Sequence, residues 1–212
     1  MLLEEKDVDE QYPNIIFLQL ESFIDPETIN TIEVDGETCP NFRDLVNKYP
    51  SGALTVPACG AGTANVEFEV MTGLSVKFFG PGEYPYKTIL RETTCESAAF
   101  DLKKLGFTAH GIHNHTSGFY GRNEVYANMG FDTFTGVEVM HDTTKTPNGK
   151  WTRDDVLTGC IMDCLESTKG KDYVYTVTVQ PHGMYNVDLS EEDKHIEVYA
   201  APGKKEMVQQ YE

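Results

Sequence analysis

Ala58-Cys59-Gly60-Ala61-Gly62-Thr63-Ala64-Asn65-Val66-Glu67-Phe68 brings a glycine-rich turn onto one hydroxyl, Thr63, at the start of a helical pattern. The apolar run before it, Ala53-Leu54-Thr55-Val56, predicts a strand, and Glu67, Phe68, Val70 and Met71 after it predict a helix with one buried face. On that reading the turn lies at the carboxyl end of a strand, where open α/β sheets place their ligands. Unpaired backbone N–H groups and the positive dipole end of a helix favour an anion, so Thr63 stands beside a seat for phosphate. A threonine hydroxyl is a weak nucleophile until a base or a metal activates it. The stretch equally suits a plain helix cap, with Thr63 bonding its own first turn. The rest of the chain decides between these.

Working outward, the chain has 212 residues, 40% of them hydrophobic, which is enough for one sizeable core. Asp and Glu number 34 against 17 Lys and Arg, a net charge of −17 that argues against a broad nucleic-acid or anionic-membrane surface. An anionic substrate must therefore be held locally. No apolar run approaches the roughly 18–20 residues of a membrane span, and the first residues lack the pattern of a signal peptide. The chain as given reads as soluble. Five cysteines, Cys39, Cys59, Cys95, Cys160 and Cys164, show no paired metal spacing, and Cys160 and Cys164 share a predicted helix face.

Residues 1–13 read as a polar, acidic lead-in ending at Tyr12-Pro13, and residues 14–212 as one incomplete catalytic domain. Ile15-Ile16-Phe17-Leu18-Gln19-Leu20 predicts a strand buried on both faces, ending in Glu21, a carboxylate suited to a hard cation or to solvent. Pro40 opens a short helix to Tyr49, and Phe78 to Tyr86 form a glycine, proline and aromatic loop. Thr93-Thr94 with Glu96 predicts a capped helix stopping at Gly106, followed by a strand at Phe107–Ile112. That strand runs into His113-Asn114-His115-Thr116-Ser117-Gly118-Phe119-Tyr120-Gly121-Arg122-Asn123. Here Arg122 offers a bidentate fork for phosphate, an imidazole can move a proton, and Tyr120 offers a flat face with a polar tip.

Glu124–Met129 predicts a short helix, and Phe131–Phe134 and Val137–Met140 short extended pieces. A polar loop from His141 to Lys150 leads to Thr152-Arg153-Asp154-Asp155, a predicted cap for the helix carrying Val156, Leu157, Cys160, Ile161 and Leu165. Tyr173–Val179 is the clearest strand, and it ends in Gln180-Pro181-His182-Gly183. The alternation of helix and strand predicts an α/β fold with a mostly parallel sheet and helices on both faces. Glu21, the Thr63 turn, the His113 to Arg122 loop and His182 then leave four strand ends along one edge, where they converge.

These residues resemble the lipoteichoic acid synthase branch of the sulfatase and alkaline phosphatase superfamily. Three stretches carry the resemblance: Asn14 to Phe23, like the first strand with its metal-binding Glu; Gly62 to Phe68, like the nucleophile segment; and His113 to Gly130, like the phosphate-binding loop. The resemblance implies an alkaline phosphatase/sulfatase-like fold in which Glu21 and Thr63 bind a divalent metal, manganese first and magnesium as the alternative. It implies that His113, Tyr120, Arg122 and His182 contact a phosphoglycerol head and that Thr63 forms a phosphothreonyl intermediate. The implied partner is a phosphatidylglycerol-type lipid or glycerophosphate polymer, and the implied place is the extracellular face of the cell membrane, reached through membrane segments outside this sequence.

Gly62 stands where the family often has Lys, Tyr120 where it often has Trp, and His115 where an acidic residue is common. The family's consecutive Asp-His metal pair is not found; His141-Asp142 has the wrong order and Asp193-Lys194-His195 the wrong spacing. The expectation is a chain truncated at its C-terminus, inactive alone and prone to self-association. Cys59 to Thr63 lacks the Pro and Arg of the sulfatase C/S-x-P-x-R segment, which disfavours sulfate-ester hydrolysis. Phosphoethanolamine transfer is the nearest enzymatic alternative, and a non-catalytic glycerophosphate-binding module is the alternative of another class.

Overall fold

The computed structural model describes residues 12–58, 62–147, 149–183 and 198–200. Most of the 1–13 lead-in, the Gly60-Ala61 part of the turn and Asp193-Lys194-His195 lie outside the described residues. Strands β1 (Ile15–Gln19), β3 (Phe107–His113), β4 (Thr133–Thr135) and β5 (Lys171–Val177) form a sheet in the order β1-β5-β3-β4, and β2 (Glu33–Val34) pairs antiparallel with β6 (Val198–Ala200). Every pairing in the larger sheet is parallel. All four carboxyl ends therefore share one edge, as the α/β reading requires.

Five α-helices accompany the strands: α1 (Pro40–Lys48), α2 (Thr63–Thr72), α3 (Ala98–Lys104), α4 (Arg122–Asn128) and α5 (Val156–Ser167). Alternation along β3 and β5 sends Phe107, Ala109, Tyr173, Tyr175 and Val177 to one face, where they pack with Ala64, Phe68 and Met71 of α2, Ala99 of α3, and Val125 and Tyr126 of α4. Ile112 and Val174 point the other way, onto Val156, Leu157 and Cys164 of α5, with Cys160 beside them. Helices thus cover both faces of the sheet, and both α5 cysteines sit at the second core.

Several local expectations are corrected. The run Ala53 to Val56 is not a strand, and Leu54 is 74% exposed; four apolar residues are too few for periodicity to tell a strand from an extended surface segment. β1 is a strand but is not buried on both faces: Ile16 is 50% and Leu18 48% exposed, and among the described residues neither joins the core cluster that α5 covers. Helix α3 is capped by Ser97, whose hydroxyl accepts the Ala99 N–H at 3.1 Å, rather than by Thr93-Thr94. Val137–Val139 forms a 3-10 turn instead of an extended piece. Asp155 stands at the cap of α5 without a side-chain cap bond, its carboxylate being taken by the Arg153 guanidinium at 2.6 Å.

Candidate active site

Thr63 is the first residue of α2 and its hydroxyl donates to Glu21 Oε1. No strand delivers the turn, yet the nucleophile candidate reaches the sheet edge because Glu21 is held there. The Thr178 N–H donates to Gln19 O at 3.1 Å and the Glu21 N–H to Thr178 Oγ1 at 3.0 Å, so the tails of β1 and β5 stay joined past their ladder. Burial raises the Glu21 pKa; the Thr63 hydrogen bond and the charges of Arg122 and His182 oppose it without cancelling it. A carboxylate so tuned is a ready proton acceptor.

Gly62 precedes Thr63 at φ 99°, a left-handed conformation that L side chains avoid. A Cβ there would stand 3.1 Å from Tyr84 Oη. Tyr84 stacks on Tyr120 with ring centroids 5.9 Å apart, and Lys87 Nζ lies 4.5 Å and 5.1 Å from the two rings. Only two described non-glycine residues have positive φ, Ser22 at 56° and Tyr120 at 61°. They flank Glu21 and the approach to Arg122, a placement that fits strain held at a working site.

His113, the last residue of β3, is buried. Its Nδ1 lies 2.9 Å from Val177 O, which makes Nδ1 the protonated nitrogen and leaves the Nε2 lone pair free. That Nε2 is buried without a partner. Burial holds the ring well below the ordinary histidine range, and the Arg122 charge adds to this, so the imidazole is neutral. His182 follows a turn in which its N–H donates to Val179 O, and its Nδ1 is likewise buried and unpartnered. Among the described residues neither nitrogen has a partner, which is uncommon for buried polar atoms and marks both as candidate ligand contacts.

Arg122 opens α4 and is entirely buried, but one edge of its fork is already filled. Its Nε lies 3.0 Å from Glu67 Oε2 and its Nη2 2.6 Å from Glu67 Oε1. Tyr126 and Tyr86 hydroxyls donate to Glu67 Oε2 at 2.9 Å and 3.3 Å. Nη1 reaches Phe119 O at 3.4 Å, so the guanidinium presents only its outer N–H groups, and the Tyr120 ring lies 5.3 Å over it. Burial works against the Arg122 charge, yet the Glu67 charge and hydrogen bonds prevail and raise its pKa. Glu67 lies one turn after Thr63 on the buried face of α2, so this pair fixes the nucleophile's helix against the loop that carries Arg122. Sequence reading placed Glu67 on that face but could not see its partner, 55 positions away.

The structure brings Thr63 and Glu21 into contact, sets Arg122 and His182 within electrostatic reach of Glu21, and puts Tyr120 over Arg122. As donors for a hard cation, the Glu21 carboxylate and Thr63 hydroxyl fit in kind. In number they fall short among the described residues, where no group of three or more His, Cys, Asp or Glu converges. No helix among the described residues is long and apolar enough to cross a membrane.

Comparison with known proteins fits this geometry. A family model described as Sulfatase matches residues 13–211. A Rhizobium meliloti (strain 1021) protein named for cyclic beta-1,2-glucan modification is 31% identical over 206 residues, covering 92% of this chain and 31% of that protein. Phosphoglycerol transferase GacH of Streptococcus pyogenes, solved with sn-glycerol-1-phosphate, superposes with a TM-score of 0.79 at 20% identity, covering 98% of this chain and 54% of its own. Lipoteichoic acid synthase LtaP of Listeria monocytogenes does so at 0.70 and 22%, covering 94% and 48%. The chain thus spans about half the length of these solved structures and about a third of the Rhizobium protein. At these identities the two structures establish the fold, alkaline phosphatase/sulfatase-like, and the family match over nearly the whole sequence places the chain in the sulfatase family.

Proposed function

We propose that this chain supplies the nucleophile half of a phosphoglycerol transferase acting through a phosphothreonyl intermediate on Thr63. The observation that carries the reading is the Thr63 hydroxyl donating to a buried, proton-receptive Glu21 at the carboxyl edge of a parallel sheet. GacH, which is similar over 98% of this chain, is a phosphoglycerol transferase solved with sn-glycerol-1-phosphate, and that supports the choice of head group.

With its proton directed at Glu21, Thr63 Oγ1 keeps its lone pairs for an incoming phosphorus. Attack forms the Oγ1–P bond and breaks the phosphorus–oxygen bond to the diacylglycerol of a phosphatidylglycerol-type lipid. The threonine proton passes to Glu21, and the departing diacylglycerol alkoxide takes an equivalent proton from water. An acceptor hydroxyl then displaces Thr63 in the reverse sense. The neutral His113 Nε2 and the His182 Nδ1 are placed to exchange hydrogen bonds with phosphoryl or glycerol oxygens, and the outer N–H groups of Arg122 to face their charge. A divalent cation, manganese or magnesium, would be held by Glu21 and Thr63 only with ligands from beyond the described residues, and would supply hydroxyl activation and screening of phosphoryl charge. The proposed setting is the extracellular face of a membrane.

The test is incubation of the protein carrying this chain with phosphatidylglycerol and manganese, followed by peptide mass spectrometry. A phosphoglycerol adduct is expected on Thr63, and Thr63→Ala should reduce head-group transfer by at least about a thousandfold. Transfer within tenfold of the parent in Thr63→Ala would sink the nucleophile assignment.

A further inference from the structure

Arg122 brings a positive charge to the site, but the buried Glu67 takes it up, and Glu21 beside Thr63 adds a second carboxylate. Those contacts alone do little to draw in a phosphate anion, and the chain as a whole carries a net charge of −17. A cation with no carboxylate of its own changes that balance. Lys87 is exposed, and among the described residues its ammonium meets no carboxylate, only the rings of Tyr84 and Tyr120.

The backbone fixes where Lys87 stands. It closes a 3-10 turn, Pro85–Lys87, in which Pro85 and Tyr86 are buried. The Lys87 N–H donates to Tyr84 O at 2.8 Å and Arg91 Nε to Tyr86 O at 3.2 Å, while the Tyr86 hydroxyl reaches inward to Glu67 Oε2. The carboxylate that holds Arg122 therefore also holds the turn that presents Lys87.

The Tyr84 and Tyr120 centroids are 5.9 Å apart and Lys87 Nζ is 4.5 Å and 5.1 Å from them, a triangle that sets the ammonium beside the pair and not between the rings. Attraction to the rings steadies the ammonium and leaves N–H groups for another partner. Neither phenol hydroxyl makes a hydrogen bond among the described residues. Tyr84 Oη lies 3.1 Å from where a Gly62 Cβ would stand, one residue before Thr63, and the charges of Arg122 and Glu21 both act on Tyr120. Burial raises the Tyr120 pKa, which keeps its hydroxyl a donor. Three donor groups without an acceptor thus stand at the edge of the Thr63 turn.

We propose that Lys87, with the hydroxyls of Tyr84 and Tyr120, forms an anion-receiving rim beside Thr63 that selects a phosphate ester with an uncharged head over one whose head carries an ammonium. The link to donor choice rests on the transferase reading above; the charge selectivity of binding does not.

The probes are sn-glycerol-1-phosphate and phosphoethanolamine, titrated by calorimetry into the protein carrying this chain. Lys87→Met removes the charge and keeps most of the stem, and it should weaken glycerol phosphate about fivefold, the scale of one solvent-facing charge, without weakening phosphoethanolamine. The difference should shrink at high salt. Lys87→Arg should bind as the parent does, and Lys87→Glu should shift the preference toward phosphoethanolamine. In head-group transfer from phosphatidylglycerol, Lys87→Met should raise KM by a like factor with kcat within roughly twofold. Equal weakening of both probes in Lys87→Met would make Lys87 a brace for the tyrosine pair and overturn the rim, as would a preference that Lys87→Glu does not move. Charge-selective binding in a protein that transfers no head group overturns the transferase reading and leaves the rim standing. Transfer without charge selectivity overturns the rim alone, and the absence of both overturns both.

Discussion

Arg122 and Arg43 bring the same guanidinium to carboxylates in two parts of the molecule. Arg122 meets Glu67 through Nε and Nη2 with both side chains wholly buried, and Tyr126 and Tyr86 complete the carboxylate's shell. Arg43 on α1 bonds Asp25 at 2.7 Å and also meets Glu27, at a place where water reaches all three side chains. On paper the outer arginine has the richer partnership. Inside, however, neither charge has water to fall back on, so the loss of one partner strands the other. At the surface, solvent and salt replace a lost partner at little cost. The two sites also join different things: the inner pair ties α2 to α4, whereas the outer one ties a loop to a helix with no buried residue.

The largest expected effect comes from breaking the inner pair. Glu67→Ala should lower the unfolding free energy by about 3–5 kcal/mol, read as a reduced urea midpoint with an unchanged slope. A double replacement, Glu67→Leu with Arg122→Met, should cost less than that single change, because no buried charge is left alone. Equal or greater loss in the double variant would mean that shape rather than charge governs the site.

Burial makes an analogous demand on His113. Its folded pKa lies well below 6.5 and its unfolded value near 6.5, so the unfolded chain binds the proton first. The stabilisation is complete above 6.5 and is lost as pH falls toward the folded value. Urea midpoints should therefore drop between pH 7 and 5, and His113→Gln should flatten that slope. An unchanged slope in the variant would show that other groups govern the acid limb.

Glu21 runs the other way and with a smaller effect. Its folded pKa is raised above 4.5, so the ionised form is disfavoured in the fold and stability declines as pH rises through the folded value. Glu21→Gln is expected to raise the urea midpoint at neutral pH, a gain that vanishes below about pH 4.5, while transfer is lost. A site residue that costs stability is what a working carboxylate looks like. Smallest of all, Arg43→Ala should leave the midpoint within measurement error, in low and high salt alike. A clear drop there would erase the contrast between the two arginines.

The sheet was legible where the strands are long and rich in β-formers: the runs read at Ile15 to Leu20, Phe107 to Ile112 and Tyr173 to Val179 are strands, with observed bounds Ile15–Gln19, Phe107–His113 and Lys171–Val177. Their exits, and with them the neighbourhood of Glu21, Thr63 and the His113 to Arg122 loop, follow from parallel pairing. Ala53 to Val56 misled because a run of four carries no period. β1 was expected to be buried because apolar composition says that a strand prefers cover and not whether a helix packs on each of its faces. Cap choice at α3 turned on which of several hydroxyls meets the Ala99 N–H, a matter of one residue's dihedrals. The Glu67–Arg122 bond was beyond reach for another reason: a carboxylate on an apolar helix face signals a buried partner without saying which cation, among all those distant in sequence, will supply it.

Gly62 and Tyr84 have become dependent on each other. The glycine's left-handed backbone brings the turn to Thr63, and the space where its side chain would begin is taken by the tyrosine hydroxyl. A lysine at position 62 would therefore meet two obstacles at once, a strained backbone and a tight contact with the tyrosine hydroxyl. Gly62→Lys alone is a step downhill, and so is the loss of Tyr84, which would unstack Tyr120 and remove one of the two rings beneath Lys87. The two positions are thus free to change only together, and the order in which substitutions arrive decides whether the turn survives them.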